Sequence, residues 1–114
     1  MQITVTGRHA GITDHAKDYA EKKVVRLDRY FDGVQSIDVI MDREGDQNTV
    51  ELIISVSGSR LVSESLQADP YAAIDFALDK AETQLIRYKE KLKKKRSKQA
   101  SASAEEEGIK GVGE

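Results

Sequence analysis

The chain has 114 residues, a third of them charged, a formal net charge of −2, and neither Cys nor Trp. The missing Cys excludes disulfides and thiolate metal sites, and no apolar run approaches the roughly 20 residues a bilayer requires. A single small domain with an aliphatic core is expected, soluble and cytoplasmic, because MQITVTGRH lacks the basic region and apolar run of a signal peptide.

Ile3-Thr4-Val5-Thr6 alternates apolar and polar residues up to Gly7 and predicts a first strand; Arg8-His9-Ala10-Gly11 predicts a turn. Thr13 is a suitable N-cap, with Asp14 in the first turn, for a helix reaching about Phe31. Its apolar stripe is Ala16, Ala20, Val24, Leu27 and Phe31, and Lys22, Arg26 and Arg29 share one flank. Asp32-Gly33 ends it. Val34 to Asp42 predicts a second strand with Ile37, Val39 and Met41 on one face, although Ile40 breaks the alternation. After the polar turn Arg43-Glu44-Gly45-Asp46 comes the clearest strand, Thr49 to Ser57, with Val50, Leu52, Ile54 and Val56 facing one way. Ser57-Gly58-Ser59 turns the chain into a fourth strand, Leu61 to Ala68, whose register the pattern does not fix.

Asp69 to Arg96 reads as one long helix, with Asp69 at the N-cap and Pro70 at the first helical position. Ile74, Ala77, Leu78, Ala81, Leu85, Tyr88 and Leu92 form its apolar stripe. At 1.5 Å per residue it would run about 40 Å, longer than a domain of about 30 Å, so its lysine-rich end should project. The expected fold is α+β: a single domain in the order β-α-β-β-β-α, with both helices on one face of a four-stranded sheet. That order is reminiscent of double-stranded RNA-binding domains, which lack the leading strand. The domain is expected to span residues 1–96, with 97–114 a disordered acidic tail.

Charge is unevenly distributed. Arg87 to Lys98 holds eight basic residues against Glu90 alone, a local +7, whereas the chain before Arg87 carries −6. Lys80, Arg87, Lys91 and Lys94 fall on one flank of the long helix, with Gln84 at its boundary. Side-by-side helices would merge this flank with Lys22, Arg26 and Arg29 into one positive surface for phosphate oxygens. A solvated helix face explains such a run as well, and so does the helix dipole for one or two of the lysines. Four scattered tyrosines do not make a single-strand stacking platform. Enzyme motifs are missing. His9 and His15 have no metal-ligand spacing, and the serines and glycines form neither GxSxG nor GxGxxG. No cofactor, metal or small-molecule substrate is therefore expected. Arg8 and His9 form a loop pair that suits a phosphate.

The blocks GRHAGIT at Gly7–Thr13, YAEKKVVRLDRYF at Tyr19–Phe31 and DPYAAIDFALDKAETQLIRYKEKL at Asp69–Leu92 resemble the short, single-domain ribosome hibernation-promoting factors, kin of the ribosome-associated inhibitor protein Y. The resemblance covers about Ile3 to Lys94 and implies a domain lodged between head and body of the small ribosomal subunit, over the messenger channel and the A- and P-site tRNA positions. It places rRNA contacts on Lys22, Lys23, Arg26, Arg29, Lys80, Arg87, Lys89 and Lys91, with Gln84, Tyr71 and Asp75 at family positions. Relatives usually read KLERQ where this chain has Lys80-Ala81-Glu82-Thr83-Gln84, so Ala81 trims the core and Thr83 removes a basic contact. The second domain with which long forms pair ribosomes is not expected here. Two alternatives stay open: a module for structured RNA outside the ribosome, and an adaptor joining a partner's helix. A monomer is expected off the ribosome.

Overall fold

The computed structural model describes residues 2–8, 11–29 and 32–101, with side chains as far as Lys94. His9, Tyr30, Phe31 and the tail past Ser101 lie outside the described residues. The elements are β1 (Gln2–Gly7), α1 (Asp14–Val24) continued by a 3₁₀ turn (Val25–Arg29), β2 (Val34–Glu44), β3 (Gln47–Val56), β4 (Ser59–Gln67) and α2 (Pro70–Ser101). The expected β-α-β-β-β-α order is present.

The sheet runs β1-β2-β3-β4. β1 pairs parallel to β2, with Ile3 opposite Ile37 and Val5 opposite Val39. The crossover between these two strands is α1. β2, β3 and β4 form an antiparallel meander through Val39↔Leu52 and Leu52↔Ser63. Both hairpins use two-residue turns, and each needs one positive-φ glycine, Gly45 at 61° and Gly58 at 78°. Neither glycine has a neighbour within 4 Å of an added Cβ, so backbone conformation, not crowding, selects it.

One face of the sheet packs against both helices. Ile37, Val39 and Met41 of β2 and Val50, Leu52, Ile54 and Val56 of β3 meet Ala16, Ala20 and Val24 of α1 and Ala73, Ile74, Ala77, Leu78, Ala81 and Leu85 of α2. Five of those nine helix positions are alanines, which lets the helices lie close to the sheet. Thr13 caps α1, its hydroxyl accepting from the Ala16 N–H at 3.1 Å, and Asp69 caps α2, accepting from the Tyr71 N–H at 3.0 Å.

The structure differs from the sequence reading in three places. The α-helix expected to reach about Phe31 ends at Val24 and tightens into the 3₁₀ turn that buries Leu27. A pair of β-branched residues, Val24-Val25, stands at the change. In β4, Ser63 and Ser65 face the core while Val62 and Leu66 point to solvent, which inverts the usual pattern and explains the unreadable register. The serine hydroxyls are satisfied by α2 carbonyls, Ser63 donating to Ala77 O at 2.8 Å and Ser65 to Ala73 O. Finally, α2 continues to Ser101, past the boundary at Arg96, because no Gly or Pro stands between Pro70 and Gly108 to stop it. Its length accounts for the 54 Å long axis against 25 and 18 Å across.

Candidate nucleic-acid interface

Two parallel helices build the site. His15 Nδ1 lies 2.8 Å from Tyr71 Oη, Tyr19 Oη donates to Asp75 Oδ1 at 2.9 Å, and Arg26 Nη2 donates to Glu82 Oε2 at 3.0 Å. All three pairs are separated by 56 residues, so α1 and α2 run in the same direction and in step. Lys23 Nζ adds a contact to Asp75 at 3.5 Å and sits 5.3 Å above the Tyr19 ring. Tyr19 and Tyr71 meet edge to face at 5.0 Å. Tyr71 and Asp75 therefore hold the helices together.

By that offset Arg29 is level with Leu85, the last fully buried residue of α2. Everything beyond Leu85 passes the end of the 3₁₀ turn. Tyr88 Oη still reaches Ser57 O at 3.2 Å, tying α2 to the β3–β4 turn. Past it, Lys89, Lys91, Lys93 and Lys94 are exposed and make no ion pair among the described residues. Along the line of α2 that faces α1, steps of seven carry Asp75, Glu82 and then Lys89. Acids stand where α1 supplies bases, and lysines follow where α1 has ended.

The expected basic flanks do not merge along the helices. Lys80 Nζ donates to Glu64 O at 2.7 Å and Gln84 Nε2 to Val62 O at 2.8 Å, so this flank of α2 faces β4, away from α1. Arg87, Lys91 and Lys94 continue on that side. Between the flanks, Asp79, Thr83, Ile86 and Glu90 form the exposed outer line of α2. The cause is the placement of α1 over the β1 side and α2 over β3 and β4. The flanks approach only at one end, where Arg29 closes the 3₁₀ turn level with the start of the α2 overhang.

Arg8 stands apart from this cluster. Its N–H bonds Met41 O at 2.9 Å at the far end of β1, where Gly11 packs on the Arg43 side chain beside the start of α1. His9, its expected companion, is outside the described residues. Two bases were missed by sequence reasoning. Lys93 follows Lys89 by four residues on the α1-facing line, a position that the helical period alone would have given. Arg60 opens β4 at the same end as Tyr88, beside the turn residue Ser57. A lone Arg in a hairpin carries no periodic signal.

The remaining surface offers little chemistry. A shallow hollow of about 400 Å³ beside Lys80 is lined by Thr49, Glu64, Ser65 and Leu66, and its Ser65 hydroxyl is already bonded to α2. Among the described residues no group of His, Asp and Glu could hold a metal ion, and no helix is long and apolar enough to cross a membrane. The apolar stripe that an adaptor helix would need is spent on the core, from Ile74 to Leu85.

Residues 3–93 match the family model described as Sigma 54 modulation protein / S30EA ribosomal protein. A ribosome hibernation promoting factor of Azotobacter vinelandii is 42% identical over 91 residues, 80% of this chain and 85% of that protein. The N-terminal domain of Thermus thermophilus Protein Y superposes with a TM-score of 0.69 at 42% identity, covering 77% of this chain and 99% of that one. A ribosomal subunit interface protein from Coxiella burnetii superposes with a TM-score of 0.71 at 28% identity, covering 78% of this chain and 98% of that one.

Proposed function

This chain belongs to the Sigma 54 modulation protein / S30EA ribosomal protein family, and from that premise we propose that it is a non-enzymatic hibernation factor that binds small-subunit rRNA in the decoding region, over the mRNA path and the A- and P-site tRNA positions. The observation that carries the reading is the basic end. Arg29 ends the turn level with Leu85, with Lys22 two turns before it, and Arg87, Lys89, Lys91, Lys93 and Lys94 follow on the overhanging part of α2, all exposed and without carboxylate partners among the described residues. Such a cluster serves phosphate oxygens better than it serves the fold, since it gains counterion release on binding and nothing from packing. Its projecting form suits a channel between ribosomal masses more than a flat protein surface. The protein acts in the cytoplasm, where ribosomes are, and as a monomer off the ribosome; residues 1–96 are the binding unit and the acidic tail is outside it. Arg8, at the other end of the molecule, would make a separate contact, together with its sequence neighbour His9.

Competition on purified small subunits tests this. Initiator tRNA bound at the P site is expected to displace the protein. Affinity is expected to fall with a log–log salt slope of about 0.7–0.9 per phosphate contact, steep for half a dozen bases. Salt-sensitive binding that tRNA leaves untouched would place the protein on structured RNA elsewhere.

A further inference from the structure

The edge proposed to meet rRNA contains a carboxylate at its centre. Glu82 is only 17% exposed in its side chain and lies 3.0 Å from the Arg26 guanidinium, which is 40% exposed. Acid in a phosphate-binding edge opposes the ligand by simple charge repulsion. Resting on the rRNA-binding reading above, we infer that Glu82 is a positioning residue that holds Arg26 in the orientation that receives a phosphate.

The local geometry supplies the reason. Arg26 and Arg29 lie on the 3₁₀ turn, where residues three apart eclipse, so two guanidinium side chains leave the same line of the turn. Lys22 precedes them by one α-helical turn on that side. Three long cationic side chains so placed repel one another and spread into solvent. Glu82 takes one of the five N–H donors of Arg26 and offsets that repulsion, leaving the rest of the fork directed outward for a bidentate phosphate contact. Asp79, one turn earlier on α2, is exposed and has no ion-pair partner among the described residues, and it provides a comparison of equal charge.

Four variants on purified small subunits decide the matter. Glu82→Gln removes a negative charge yet is expected to weaken binding about fivefold, the upper range for a partly exposed ion pair. It should also flatten the salt slope by about 0.7–0.9, one phosphate contact. Asp79→Asn makes the same charge change and is expected to bind at least as tightly as the parent. Glu82→Asp keeps the charge but draws it back by one methylene; it too is expected to bind more weakly, and it serves if the glutamine variant fails to fold by circular dichroism. Tighter or unchanged binding by both Glu82 variants overturns the inference. Arg26→Glu with undiminished binding overturns it as well, because Arg26 would then meet no phosphate. A parent protein that initiator tRNA does not displace overturns instead the reading on which it rests. In the free protein, 15N relaxation at Arg26 Nε should report an ordered side chain that becomes mobile in Glu82→Gln, and equal order in both defeats the positioning role whatever ribosomes do.

Discussion

From Pro70 to Tyr88, α2 lies on the sheet and most of its long polar side chains, Arg87 excepted, find protein partners: Asp75 with Tyr19 and Lys23, Lys80 with Glu64 O, Glu82 with Arg26, Gln84 with Val62 O, Tyr88 with Ser57 O. From Lys89 to Lys94 the same helix carries four exposed lysines with no ion pair among the described residues. The first half gains stability from burial of Ala73, Ile74, Ala77, Leu78, Ala81 and Leu85. The second half gains none, and it persists because extending a nucleated helix fixes only one residue per added hydrogen bond. Like charges four residues apart, such as Lys89 and Lys93, cost a few tenths of a kcal/mol, which cations near a helix C-terminus partly recover. One helix thus separates folding from binding along its length. Its packed turns hold the protein together, and its overhang can be spent on a polyanion.

Reversing the overhang should give the largest effect. Replacing Lys89, Lys91, Lys93 and Lys94 together by Glu is expected to lower small-subunit affinity by about three orders of magnitude at low salt, four phosphate contacts being lost and repulsion added. The melting temperature should stay near that of the parent. Sedimentation with ribosomes alongside a thermal melt reads both quantities, and binding that survives would show that the overhang is not the grip.

The converse change belongs to the packed half. Leu85 is fully buried at the level where the 3₁₀ turn ends, and Leu85→Ala is expected to cost about 3 kcal/mol in denaturant unfolding. Affinity per folded molecule should change little. A Leu85 variant that loses stability and binding equally would mean that the two halves are coupled more tightly than this division allows.

Much of this was legible in the residues. Val50, Leu52, Ile54 and Val56 alternate cleanly because β3 is central and one face is buried, and Thr13, Asp69 and Pro70 are helix-start signals with direct chemistry. What escaped depends on tertiary partners. Ser63 and Ser65 look like solvent-facing residues until the α2 carbonyls that accept their hydroxyls are in place. Lys80 and Gln84 were grouped on one side of α2, where their contacts place them, since the helical period fixes direction about one axis. How those directions meet depends on where each helix sits over the sheet, which no single helix encodes. That is why Lys80 and Gln84 were expected beside α1 and lie instead along β4.

Those two residues give the subtlest division between the halves. Lys80 and Gln84 cover the outward carbonyls of Glu64 and Val62 on an edge strand, a position otherwise open to pairing with another chain. If Gln84 belongs to the packed half, Gln84→Ala removes one neutral hydrogen bond, about 0.5–1 kcal/mol of stability, with affinity for small subunits held within about twofold. If instead it donates to rRNA, the same change weakens ribosome binding by about fivefold or more while the melt stays nearly constant. Lys80 has three donors and only one is used at Glu64 O, so Lys80→Gln should retain the edge contact and lose a single charge. A flatter salt slope in Lys80→Gln, with no such change in Gln84→Ala, would put the boundary between folding and binding between these two neighbours, one turn apart on the same flank.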